Sequence, residues 1–111
     1  MWIMIAAPYT SGGADAALRA ARLAEMNCAA LAILRLGHVP VIGVNMALPI
    51  IAAAEGDVFD EVIMPISLAL AERCDAVLRI GGTSQGADQE VARFTQAGKP
   101  VFRTLAEIPT G

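Results

Sequence analysis

The chain has 111 residues, a formal net charge of -3, 56% hydrophobic residues and 17% charged ones. That length makes one domain, residues 1–111, with room for a core, and so apolar a composition excludes a disordered chain. Lys99 is the only lysine and the arginines are scattered, which excludes a basic field for nucleic acid.

No apolar run reaches the ~18 residues that a membrane span requires. Residues 1–8 lack the basic start of a signal peptide, so a reducing cytoplasm is the expected location. The hydrophobic fraction exceeds what a small core hides, so a homodimer or higher homo-oligomer is expected. Cys28 and Cys74 have no metal-ligand spacing and read as buried thiols.

In chain order, residues 2–7 form a continuous apolar run suited to a central strand buried on both faces. Residues 8–13 make a turn-rich loop. Residues 15–36 read as a helix rich in alanine and leucine, with Leu23, Met26, Ala30, Ile33 and Leu34 on one apolar face, stopped by Gly37. Residues 39–43 read as a short strand whose Pro40 favours an edge or a strand start. Asn45 is expected to cap a short helix over 46–54, with Pro49 near its first turn. Asp57 is expected to cap a longer helix over 58–73, bent or interrupted at Pro65. Residues 76–80 read as a buried strand, 87–97 as a helix ended by Gly98, and 99–103 as the last strand. The tail from 104 to 111 is expected to be loosely ordered. Strands alternating with helices predict a three-layer, flavodoxin- or Rossmann-like α/β fold, a parallel sheet of four to five strands flanked by helices.

The stretch from Gly81 to Glu90 organises the functional reading. It is a glycine-rich turn from a strand end into a helix start, a geometry that aims backbone N–H groups and a helix dipole into a crevice. Ligands of open α/β sheets bind in such crevices beyond the strand carboxyl ends, and the loop after the first strand should open onto the same edge. On the following helix Ala87, Glu90, Val91 and Phe94 share one face. A carboxylate on that stripe either borders a cavity, where burial raises its pKa and suits it to act as nucleophile or acid/base, or reaches past the stripe to water. Ser84, Gln85 and Gly86 either hold a phosphate or sugar hydroxyl through backbone N–H groups or simply cap the helix and close the turn. Neither a dinucleotide fingerprint nor a Walker loop is present. Tyr9 either orients a carboxylate while packing on a base or sugar, or is a partly buried aromatic. His38, the only histidine, reads as structural. Asp57, Asp60 and Glu61 cluster where a helix dipole favours them, and without His or Cys partners they predict no metal site.

Taken together, several segments resemble the nucleoside 2-deoxyribosyltransferase family. These are Ala6-Ala7-Pro8-Tyr9, Leu36-Gly37-His38-Val39-Pro40, Cys74-Asp75-Ala76-Val77-Leu78, Ser84-Gln85-Gly86-Ala87-Asp88-Gln89-Glu90-Val91 and Gly98-Lys99-Pro100-Val101. They are especially similar to a small branch of that superfamily with a Ser-x-Gly-Ala-x-x-Glu signature. The resemblance implies cleavage of the N-glycosidic bond of a nucleoside or nucleoside 5′-monophosphate, by transfer or hydrolysis, without metal or redox cofactor. It implies Glu90 as nucleophile at the anomeric carbon, Tyr9 as its positioning partner, and Pro8, Ser84, Gln85, Gly86 and Asp88 as substrate contacts. Ser84 stands where the transferases carry an aspartate, which turns the expectation from base exchange towards hydrolysis of a monophosphate. The tail is also shorter than the transferase segment that reaches a neighbouring subunit's site. Two other readings remain open: a nucleotide-binding module without catalysis, and a structural oligomer joined through alanine-rich helices.

Overall fold

A computed structural model describes residues 1–111. Its elements are β1 (Trp2–Ala6), α1 (Ala16–Arg35), β2 (Val39–Val41), α2 (Gly43–Ala53), α3 (Phe59–Arg73), β3 (Ala76–Arg79), α4 (Gln85–Gln96) and β4 (Val101–Phe102), followed by a 3-10 turn at Leu105–Glu107. The four strands form one sheet in the order β2-β1-β3-β4, and every neighbouring pair is parallel. The expected α/β architecture is therefore present, with a sheet of four strands.

The central strands owe their place to continuous apolar sequence. Ile3 and Ile5 of β1 and Leu78 of β3 pack with Met26 and Ile33 of α1, Ala47 of α2 and Ile63 of α3. The alternate residues Met4, Ala6 and Val77 pack with Ala71 of α3 and Ala87 and Phe94 of α4. A strand alternates its side chains between faces, so this double burial puts helices on both sides of the sheet. Each large side chain buried this way contributes about 1.5–3 kcal/mol.

The order also positions a crevice. From β1 the chain goes out to β2, then returns past β1 to reach β3 on its other side. β1 and β3 thus flank the point where the winding reverses, and the loops after their carboxyl ends must part there.

Several boundaries differ from the sequence expectation. α2 begins at Gly43, and Asn45 lies inside it, donating from Nδ2 to Asn27 Oδ1 at 2.7 Å instead of capping. α3 runs through Pro65 without interruption. The proline leaves only the Glu61 carbonyl without its helical donor, and both residues are exposed, where water replaces the bond. Asp57 does serve the start of α3, accepting from the Phe59 N–H at 3.1 Å. β4 is shorter than 99–103: the Lys99 N–H donates back to Phe94 O at 2.9 Å, and the Arg103 N–H to Glu107 Oε1 at 3.2 Å.

The tail is docked, contrary to expectation. Ile108 is buried in the α1 core, and the Gly111 N–H donates to Leu36 O at 2.7 Å. His38 fastens it: Nε2 lies 2.6 Å from Pro109 O while Nδ1 lies 2.8 Å from the Met1 amino group. Cys74 is buried but Cys28 is exposed, which corrects the second thiol. α1 turns Met26, Ala29 and Ile33 inward, and this leaves Cys28 and Leu34 facing out. No helix is long and apolar enough to cross a membrane.

Candidate active site

A cavity of about 830 Å³ opens beyond the carboxyl ends of the strands. Its wall includes Tyr9 to Gly12 from the loop after β1, Thr83 to Ala87 from the turn into α4, and Glu90. Ile42 to Val44 and Phe59, Asp60, Ile63, Met64 and Ser67 close the opposite side.

The turn is built before it can bind anything. Ser84 caps α4, its Oγ accepting from the Ala87 N–H at 3.1 Å. That cap directs the first turn of α4 and carries Ala87, Glu90 and Phe94 inward on one stripe. Arg79, buried at the end of β3, ties the turn from below. Its guanidinium donates to the carbonyls of Ile80 and Gly82 and lies 3.4 Å from Asp88 Oδ1. Gly81 adopts φ +79°, which a side chain rarely takes, and sits against the Pro8 ring.

Glu90 is 9% exposed and its carboxyl forms no hydrogen bond or ion pair with the protein. Its remaining exposure is to the cavity. Burial pushes its pKa up from the ordinary 4.5 to about 8, opposed by the positive charge of Arg79. An empty site near neutral pH therefore holds Glu90 mostly protonated.

Of the residues expected from sequence, Glu90, Tyr9, Ser84, Gln85 and Gly86 come together on this one cavity. Pro8 and Asp88 do not line it. Pro8 is buried behind Gly81, and Asp88 faces Arg79. Tyr9 shares the wall with Glu90 but its hydroxyl makes no hydrogen bond; its ring instead faces Phe59, with centroids 6.3 Å apart and planes at 16°. His38 lies with the tail. Asp60 reaches the cavity and also a smaller neighbouring one of about 450 Å³, which Asp57 lines as well. No group of three His, Cys, Asp or Glu side chains is placed to hold a metal ion.

The sequence reading passed over Arg22, Ser67 and Arg79. Arg22 lines the cavity and donates from Nη1 to the carbonyls of Tyr9 and Ser11 at 3.1 and 2.8 Å, so it shapes the loop after β1. Ser67 interrupts the buried stripe of Ile63 and Ala71 at four-residue spacing, a signal visible in the sequence. Arg79 ends an otherwise apolar strand, an equally visible departure.

These features define a parallel α/β protein with a ligand-sized cavity at its topological switch point and one desolvated carboxyl inside it. The chain belongs to the family described as Domain of unknown function (DUF1937), whose model matches residues 1–105. No curated protein sequence matches it.

Proposed function

We propose that this protein cleaves the N-glycosidic bond of a nucleoside or nucleoside 5′-monophosphate, in the manner of the nucleoside 2-deoxyribosyltransferases it resembles, with Glu90 as nucleophile. One observation carries the reading: Glu90 is buried, has no protein partner, and borders a cavity of about 830 Å³. A carboxyl left without a partner in such a place is costly to a fold, and a ligand is what it can serve.

In the proposed reaction Glu90 first loses its proton. Its carboxylate then attacks C1′ of the sugar, forming a C1′–O bond as the C1′–N bond breaks. The bond's electron pair leaves with the base, which takes up a proton; Asp60 is the other carboxyl on the wall that can relay it. Water then attacks C1′, the ester to Glu90 breaks, and the free sugar leaves with its hydroxyl. The balance is nucleoside plus water to base plus sugar, parallel to the two-step retaining glycosidases. A second free base in place of water would give transfer. In this reading the turn at Ser84 to Gly86 holds the sugar, and Tyr9 with Phe59 offers apolar ring faces to the base. A homo-oligomer belongs to the same proposal, supported by the exposed Leu31, Leu34, Met46 and Ile50.

The second reading is a nucleotide-binding module without turnover. It is favoured by the Tyr9 hydroxyl, which makes no contact that would orient Glu90. Chromatography of bases released from a panel of nucleosides and 5′-monophosphates, with and without a free acceptor base, separates the two. Release that vanishes in Glu90→Ala supports the enzyme. No release from any member, with a ligand still raising the melting temperature, leaves the binding module.

A further inference from the structure

Three helices begin on the cavity wall, and they begin differently: at α3 the Phe59 N–H donates to Asp57 Oδ1 at 3.1 Å. α4 is capped by its own Ser84. α2 is not: its N-cap position is Ile42, and no side chain accepts from its first turn. Ile42, Gly43 and Val44 are all buried and all line the cavity. The early N–H groups of a helix have no partner within it, and a buried start without a cap leaves donors unmet. The dipole adds partial positive charge at the same place.

Ser67 stands beside that start. It is 3% exposed, lines the cavity, and its hydroxyl takes part in no hydrogen bond with the protein. A β-carbon at Gly43 would collide with Ser67 Oγ, so the hydroxyl rests directly against the first residue of α2. No fully buried side-chain oxygen or nitrogen lacks a partner, so the little exposure Ser67 keeps is at its hydroxyl, towards the cavity. Arg22 is the only cationic side chain on the cavity wall and the carboxyls there are those of Asp60 and Glu90, so the attraction for an anion on the α2 side comes from the free N–H groups and the helix dipole.

We propose that the first turn of α2 and Ser67 form a phosphate subsite, and that the protein's substrate is therefore a nucleotide rather than a nucleoside. The nucleotide part of this inference rests on the glycosidase reading; the phosphate site itself does not. Phosphate oxygens accept from the Gly43 and Val44 N–H groups and from Ser67 Oγ. The capped turn at Ser84 is left to the sugar beside Glu90.

The test is titration of the whole protein with inorganic phosphate, followed by amide NMR and calorimetry. Saturable shifts at Gly43 and Val44 are expected. Ser67→Ala should weaken phosphate about tenfold, as loss of a hydrogen bond to a charged group does, while Leu105→Ala, exposed and away from the cavity, leaves it unchanged. No saturable binding, shifts confined to Ala87 and Asp88 at the start of α4, or a folded Ser67→Ala with unaltered affinity would each overturn the subsite. If Ser67→Ala does not fold, the amide shifts of the unmutated protein decide. Phosphate binding at α2 without base release from any nucleotide would sink the glycosidase reading alone.

Discussion

Gly81 lies so close to Pro8 that a β-carbon on it would stand 2.7 Å from the proline Cδ. This contact joins the loop after β1 to the turn after β3, and so holds the two sides of the cavity mouth together. Gly81→Ala combines that clash with a φ of +79°, and should destabilise the fold by roughly 2–3 kcal/mol. Urea denaturation measures it. Gly82→Ala is the control: nothing lies near its β-position and its φ is ordinary, so its effect should be small.

Glu90 should make stability fall as pH rises. Between its ordinary pKa of 4.5 and its folded value of about 8, the folded state keeps a proton that the unfolded state has released. Stability is thus lost across that window and levels off above it. Glu90→Gln keeps the shape without the charge, and should be more stable than the parent at pH 8.5 by a few kcal/mol, on the order of 3. At pH 4 the two should match closely. Parallel melts at both pH values check the sign.

The same group sets the expected pH profile of turnover. If the carboxylate is the attacking species, base release should increase with pH and level off above about 8. A rate that falls across that range would assign Glu90 the role of general acid instead.

Ser84 and Arg79 hold the turn from two sides, and their loss should differ. Ser84→Ala removes a helix cap and should cost about 1 kcal/mol, restored in large part by Ser84→Thr. Arg79→Met removes the guanidinium donors to the Ile80 and Gly82 carbonyls. It should cost roughly 1–3 kcal/mol. It also removes the cation that opposes the upward shift of Glu90, so the turnover profile should move to higher pH.

The tail should contribute measurably to the fold. Ile108 is 5% exposed against the α1 core, and Ile108→Ala should cost about 2–4 kcal/mol by thermal or urea denaturation. Exposed Leu105→Ala is the comparison, expected within about 0.5 kcal/mol.

The alternation of strands and helices was legible because each element writes its own period. Residues 2–6 and 76–78 are apolar without interruption, as strands buried on both faces must be, and the stripe Ala87, Glu90, Phe94 repeats at helical spacing. The start of α4 was legible for the same local reason, since Ser84 caps it through a bond three residues long. Pro65 and Asn45 misled because helix breaking and capping are tendencies that packing overrides: α3 keeps its length by burying Ile63, Ser67 and Ala71, and α2 starts where β2 ends.

The sequence by itself determined the class of fold, the glycine turn and the one carboxylate on an apolar stripe, because those depend on neighbours in the chain. Only the tertiary structure decided that Glu90 is desolvated, that Tyr9 stands across a shared cavity without touching it by hydrogen bond, and that Asp88 serves Arg79. It also brought Ser67 to the uncapped start of α2 and His38 to the tail. These are contacts between residues far apart in sequence. They follow from the strand order β2-β1-β3-β4 and the packing of helices on it, which no local pattern encodes.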